Sequence, residues 1–206
     1  MVPEVRLRNL EAMRAAIRTA FATRRLPESS KALRSAVEGD GEQLRKALNS
    51  LASDASPAQI AAALEGKLWM LEAATFRYYL PTLLQAIVNN PIVQSPIAAE
   101  LVDALTPPKR EDIEEMLDQL DQAPIEGLLD PDVSRHLRGS LLQQFDSGTP
   151  SALFLERCEE LNPAEGAAIL SVLRDLQSWR ELDYFGPSIT RAIARWWSRF
   201  AKTDAR

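Results

Sequence analysis

The sequence predicts an all-α protein, a compact bundle of roughly eight to ten helices with short, proline-capped connections. Two observations support this prediction. Apolar residues recur at helical spacing along most of the chain, and many prolines directly follow residues that cap helices. No segment alternates apolar and polar residues for long enough to indicate a β-strand.

Six pairs combine a short polar side chain with a proline, whose fixed φ suits the first helical position. They are Ser56-Pro57, Ser95-Pro96, Thr106-Pro107, Asp130-Pro131, Thr149-Pro150 and Asn162-Pro163. Asn162 is the strongest of these predicted starts, because Glu165 stands three residues later and can bond back to the cap amide.

The predicted helices are numerous enough that we expect some to merge. They span about residues 5–23, 29–37, 41–52, 57–79, 81–89, 97–105, 110–122, 131–146, 150–160, 163–180 and 188–201. Pro81 would clash with the carbonyl of Arg77, so we expect the helix there to kink or to restart. Val133, Leu137, Leu141 and Phe145 form one apolar stripe in this series.

The 206 residues are enough for one or two domains. We predict a single helical domain over residues 1–206, with a subdivision near residue 107 as the alternative, because Pro107 and Pro108 interrupt the pattern. No apolar run reaches the length of a membrane span, so integral membrane association is not expected. A single cysteine and an N-terminus without a secretory signal predict a cytoplasmic protein.

Residues able to carry chemistry are scarce, and the sequence predicts no catalytic residue, metal site or cofactor. His136 is the only histidine, and Asp132 four residues earlier supplies just one further possible ligand. Cys158 could serve as a nucleophile with His136 as its base, but its spacing with Phe154 and Leu161 favours core packing. No phosphate-binding loop or nucleophile elbow is present.

The charge distribution is uneven. Residues 111–165 contain fourteen acids and three bases, a net charge of −11, although the whole chain carries only −5. If Ile113, Met116, Leu117 and Leu120 face the core, the opposite side of this helix is acidic. The predicted acidic face consists of Glu111, Glu114, Glu115, Asp118 and Asp121. It would repel free nucleic acid and favour a protein partner with a basic surface, or simply be solvated.

The last predicted helix has the opposite character. Ile189, Ile193, Trp196 and Phe200 lie on one side, and basic residues lie near the other. We expect its apolar side to pack on the bundle. Trp197 falls at the edge of the stripe, where a partly exposed ring could anchor a protein interface.

A cluster of aromatic residues precedes Pro81. The segment Ala74-Thr75-Phe76-Arg77-Tyr78-Tyr79-Leu80-Pro81 resembles the A-F-R-Y-Y-L-P signature of an uncharacterised family of bacterial helical domains. The usual alanine before the aromatic residues is replaced by Thr75. This resemblance implies a small helical bacterial protein and carries no activity over to the chain.

These features favour a non-enzymatic bacterial protein-binding module. Its most concrete form is an immunity protein that neutralises a toxin through the acidic surface. One alternative is a hydrolase or transferase that uses carboxylates and tyrosines in a helical cleft. Another is a peripheral membrane or nucleic-acid adaptor that uses the basic C-terminal helix.

Overall fold

A computed structural model describes residues 4–25, 33, 40–50, 54–122, 131–179 and 186–204. It confirms the all-α prediction, because the described residues contain ten α-helices and no strand. They are α1 Glu4–Ala20, α2 Asp40–Ser50, α3 Pro57–Leu64, α4 Ala73–Asn89, α5 Ser95–Ala104, α6 Arg110–Gln122, α7 Pro131–Asp146, α8 Thr149–Cys158, α9 Pro163–Gln177 and α10 Gly186–Arg195. The described residues also form two 3-10 helices, Leu68–Met70 and Trp197–Asp204.

Capping boxes form at two of the six predicted helix starts. Ser95 does not cap α5, because it is the first residue of that helix and Gln94 occupies the cap position. The side chain of Asn162 accepts a hydrogen bond from the Glu165 amide, and Glu165 accepts one from the Asn162 amide, which completes the predicted capping box. Ser56 and Gln59 form a second capping box at the start of α3. The start predicted at Thr106 is wrong, because the next helix begins only at Arg110.

The predicted helix over residues 57–79 is also wrong, since the chain breaks between α3 and α4. Gly66 adopts a φ of 72°, a conformation that favours glycine. The Glu100 carboxylate accepts hydrogen bonds from the amides of Gly66 and Leu68, both at 2.7 Å. These bonds satisfy donors that a continuous helix would have used. The predicted helix 29–37 lies outside the described residues, except Leu33, which forms an isolated antiparallel bridge with Leu71.

Pro81 lies inside α4, so the predicted restart of the helix is wrong. The proline removes one backbone donor, which costs stability in an isolated helix. Helix α4 nevertheless continues because tertiary packing covers it: Phe76, Leu80 and Leu84 are almost completely buried. Phe76 is a core residue, and the guanidinium of Arg157 lies 4.8 Å from its ring centroid.

The chain divides into two compact units, residues 1–106 with 157–206, and residues 107–156. The first boundary coincides with the alternative division near Pro107. Whether the two units fold as a single domain stays a prediction.

In the first unit α9 occupies a central position and packs against α1, α4, α10 and the 3-10 helix Trp197–Asp204. Gly166 allows the last of these contacts, because a Cβ atom at this position would lie 2.4 Å from the ring of Phe200. No helix among the described residues is both long and apolar enough to span a bilayer.

Candidate protein-docking surface

Helices α6 and α7 of the second unit form an antiparallel hairpin. Arg138 donates a hydrogen bond to Asp118 at 2.7 Å, and Arg110 forms an ion pair with Asp146. These two pairs are separated by eight residues on each helix, in opposite chain directions, and therefore fix the register. Residues at the same level along the two helices, such as Asp118 and Arg138, have numbers that sum to 256.

The same ion pairs change the character of the predicted acidic face. Glu111, Glu115 and Asp118 are exposed, as expected of an outward surface. Asp118 is paired with Arg138, however, and Glu114 is half-buried and accepts a hydrogen bond from Arg110 at 2.9 Å. Part of the face is thus neutralised within the hairpin. The side chain of Asp121 lies outside the described residues.

The apolar stripes of the hairpin are less covered than the sequence predicts. Leu117 is buried, but the exposed fractions of Met116, Val133 and Leu137 are 43%, 52% and 38%. Exposed apolar residues are common singly, but these three occur on only two helices. Met116 therefore does not face the core, contrary to the arrangement assumed for the acidic face, and Val133 and Leu137 of the α7 stripe are exposed as well.

The second unit is also strongly acidic. Residues 107–156 contain eleven acids and four bases, a net charge of −7, whereas the rest of the chain carries +2. Much of this charge survives the ion pairs, because the four bases can neutralise only four of the acids. The unit therefore combines exposed apolar side chains with a negative field.

His136 lies on the exposed surface of α7. It lines a shallow depression of about 590 Å³ with Arg135, Gly139, Ser140 and Gln143, all from the same helix. In the described part of the chain no three His, Cys, Asp or Glu side chains come together as a metal-ligand group.

Cys158 is fully buried, in agreement with the predicted core packing. Burial raises the pKa of its thiol to about 12, although Arg157, Arg199 and Arg77 oppose this shift. Because the Cys158 side chain is completely buried, the structure supports core packing over the alternative in which Cys158 attacks a substrate with His136 as its base.

We expect the thiol to be protected from reagents in the folded protein. At pH 8, a pKa of about 12 leaves about one thiol in ten thousand ionised. Ellman's reagent should label Cys158 at least ~100-fold more slowly in buffer than in 6 M guanidinium. Since the chain has one cysteine, the whole labelling signal comes from Cys158. Equally fast labelling in both conditions would contradict the burial.

A cleft of about 500 Å³ in the first unit is lined by two carboxylates, those of Glu160 and Glu165. Glu165 is completely buried and accepts two hydrogen bonds from Arg24, from Nε at 2.6 Å and from Nη2 at 2.7 Å. Glu160 pairs with Arg77 at 2.6 Å. The oxygens of Glu165 and one of Glu160 thus accept bonds from arginine, so the cleft has the arrangement of a structural ion-pair network.

The tyrosines invoked for the enzyme alternative also lie in this unit. Tyr78 and Tyr79 are half-buried and pack edge to face, with ring centroids 5.0 Å apart. Burial raises the pKa of Tyr79 above its ordinary value, which further disfavours formation of its phenolate at neutral pH.

Trp197 does not belong to an exposed surface, and its predicted interface role requires correction. Its side chain is fully buried, and the indole N–H donates to the carbonyl oxygen of Leu105 at 2.7 Å. The reason lies in the backbone: α10 ends at Arg195 and the chain continues as a 3-10 helix. Trp197 is the first residue of this 3-10 helix, and its ring stacks on Phe200.

The basic C-terminal helix packs by its apolar side, as predicted. Ile189 is completely buried, and Phe200 is 9% exposed. Arg199 stacks on the ring of Trp196, with 3.5 Å between its guanidinium carbon and the ring centroid. The side chain of Arg191 donates to the hydroxyl of Ser188. These arginines therefore contact residues of their own segment.

A comparison of the chain with protein-family models, curated proteins and solved structures found no match. The family resemblance of the aromatic segment thus stays a prediction. The described geometry alone supports a functional interpretation, and its most distinctive feature is the α6–α7 hairpin.

Proposed function

We propose that the chain is a protein-binding module whose α6–α7 hairpin docks a basic surface of another protein. One observation carries the proposal. The hairpin exposes Met116, Val133 and Leu137 within a fifty-residue unit of net charge −7. Exposed apolar side chains supply affinity when they are covered, and charge supplies association rate and specificity.

A toxin that acts on nucleic acid is a partner of the required chemistry, because its substrate-binding cleft is basic. We propose neutralisation of such a toxin as the biological form of the interaction. The acidic hairpin would occupy the cleft and exclude the nucleic acid by charge.

The test compares two charge reversals of equal size. The double variant Glu111→Lys/Glu115→Lys changes the net charge of the hairpin by +4. The matched control Glu65→Lys/Glu159→Lys changes the net charge of the first unit by the same amount, also at exposed positions. Each tagged protein is used to capture partners from a native lysate of the source organism at low salt.

We expect the wild type and the control to retain the same partner and the hairpin variant to recover at least ~10-fold less of it. Recovery should fall as salt rises, because exposed charges are screened. No specific partner, or equal recovery by the two double variants, would refute the proposal.

A further inference from the structure

The exposed apolar residues of α6 and α7 lie on one side of the hairpin. On α6, Met116 precedes the buried Leu117 by about 100° of helical rotation, and Asp118 follows it on the opposite flank. On α7, the half-buried residues Arg138, Leu141, Leu142 and Phe145 mark the covered side of the helix, and Leu137 precedes Arg138 by the same rotation. In an antiparallel pair, the residues that precede the contact positions of the two helices lie on the same side. Met116 and Leu137 therefore share a surface.

The register extends this surface along the hairpin. Leu137 lies level with Gln119 of α6, and Val133 lies one turn before Leu137 on the same helix. Ile113 and Leu141, both half-buried, continue the surface on the same side. From Met116 to the level of Val133 the distance along the axis is about 10 Å, which equals the span of residues i to i+7 in an α-helix.

The charge identifies the class of occupant. Glu115 lies on the outer edge of α6, about 100° from Met116, and the unit carries a net charge of −7. A second copy of the hairpin would bring two units of −7 together, which like-charge repulsion disfavours. A helix with one apolar side flanked by Lys and Arg residues matches both the exposed apolar residues of the hairpin and the acidic residue at their edge.

We propose that the hairpin receives a basic amphipathic helix of the partner, whose apolar side covers Met116, Leu137 and Val133 while its Lys and Arg side chains face the acids of the hairpin. This is the helix-in-groove mode of recognition, with anchors at i, i+3 or i+4, and i+7. The inference rests on the proposed docking function and specifies the chemistry of its partner.

The test uses two fluorescently labelled 18-residue peptides composed of leucine and lysine. One has leucines at helical spacing, and the other is a scrambled sequence of the same composition and charge. Fluorescence anisotropy measures their binding to the full chain. We expect the amphipathic peptide to bind at least ~10-fold more tightly than the scrambled peptide, because charge is equal and only the apolar side differs.

Two protein variants locate the binding. Met116→Gln/Leu137→Asn makes the proposed surface polar, and we expect it to remove the preference for the amphipathic peptide. The control Ile92→Asn/Val93→Asn makes the same kind of change at two exposed residues of the first unit, and should keep the preference.

Four outcomes would overturn the inference. These are equal binding of the two peptides, an unchanged preference in Met116→Gln/Leu137→Asn, a wild-type dimer in light scattering that this variant abolishes, and a loss of thermal stability in this variant. The third would identify a second copy as the occupant, and the fourth would identify residues of the chain itself. If Glu111→Lys/Glu115→Lys still loses its cellular partner while the peptides bind equally, the docking function stands and only the amphipathic helix is refuted.

Discussion

Replacement of Arg24 by alanine is expected to lower the free energy of unfolding by about 3–5 kcal/mol, because it leaves a buried carboxylate without its charged partner. The Glu165 side chain is completely buried, and both of its oxygens accept hydrogen bonds from Arg24. After the substitution, the carboxylate keeps the amide of Asn162 as a donor but loses the guanidinium. Urea denaturation of the two proteins measures the difference.

Arg25 provides the matched control, since it is the next residue and its side chain is exposed. We expect Arg25→Ala to change the stability by no more than about 0.5 kcal/mol. The substitution Glu165→Gln should cost less than Arg24→Ala, because the guanidinium that remains is 24% exposed and can be hydrated. Equal losses from Arg24→Ala and Arg25→Ala would show that the ion pair does not stabilise the fold.

Replacement of Trp197 by alanine is expected to cost about 3–5 kcal/mol, the range for removing a large buried aromatic side chain. The Trp197 ring is fully buried and stacks on Phe200 at a centroid distance of 5.7 Å. The variant also removes the donor to the Leu105 carbonyl oxygen. Thermal and urea unfolding measure the loss.

Two further variants separate packing from hydrogen bonding. Trp197→Phe keeps a ring but leaves the Leu105 carbonyl without the indole donor, so a loss of about 1–3 kcal/mol is expected. Trp196→Ala should cost less than Trp197→Ala, because the Trp196 side chain is only half-buried. If Trp197→Ala kept full stability but lost partner binding, the interface role predicted from the sequence would be correct and the buried position wrong.

The local features of the fold were predictable because their causes are local. Helices α6 and α7 begin and end where the sequence predicts, at 110–122 and 131–146. The Asn162 capping box was predictable because cap and partner are three residues apart. The break between α3 and α4 was not, since it depends on Glu100, 34 residues from Gly66.

The candidate docking surface could be predicted only in part. The acidic composition of α6 and its apolar stripe are visible in the sequence. The ion pair between Arg110 and Asp146 joins residues 36 apart, so helical periodicity gives no sign of it. Periodicity also does not show whether a neighbouring element covers a stripe, so the exposure of Met116 and Leu137 is not visible in the sequence.

The most direct test of the docking account is hydrogen exchange of the chain, measured by mass spectrometry with and without the captured partner. Binding should slow the exchange of amides in α6 and α7, because a bound partner suppresses local opening. The account predicts protection over residues 110–122 and 131–146, with little change in α1, α4 and α9. Protection confined to the first unit, with α6 and α7 unchanged, would contradict it.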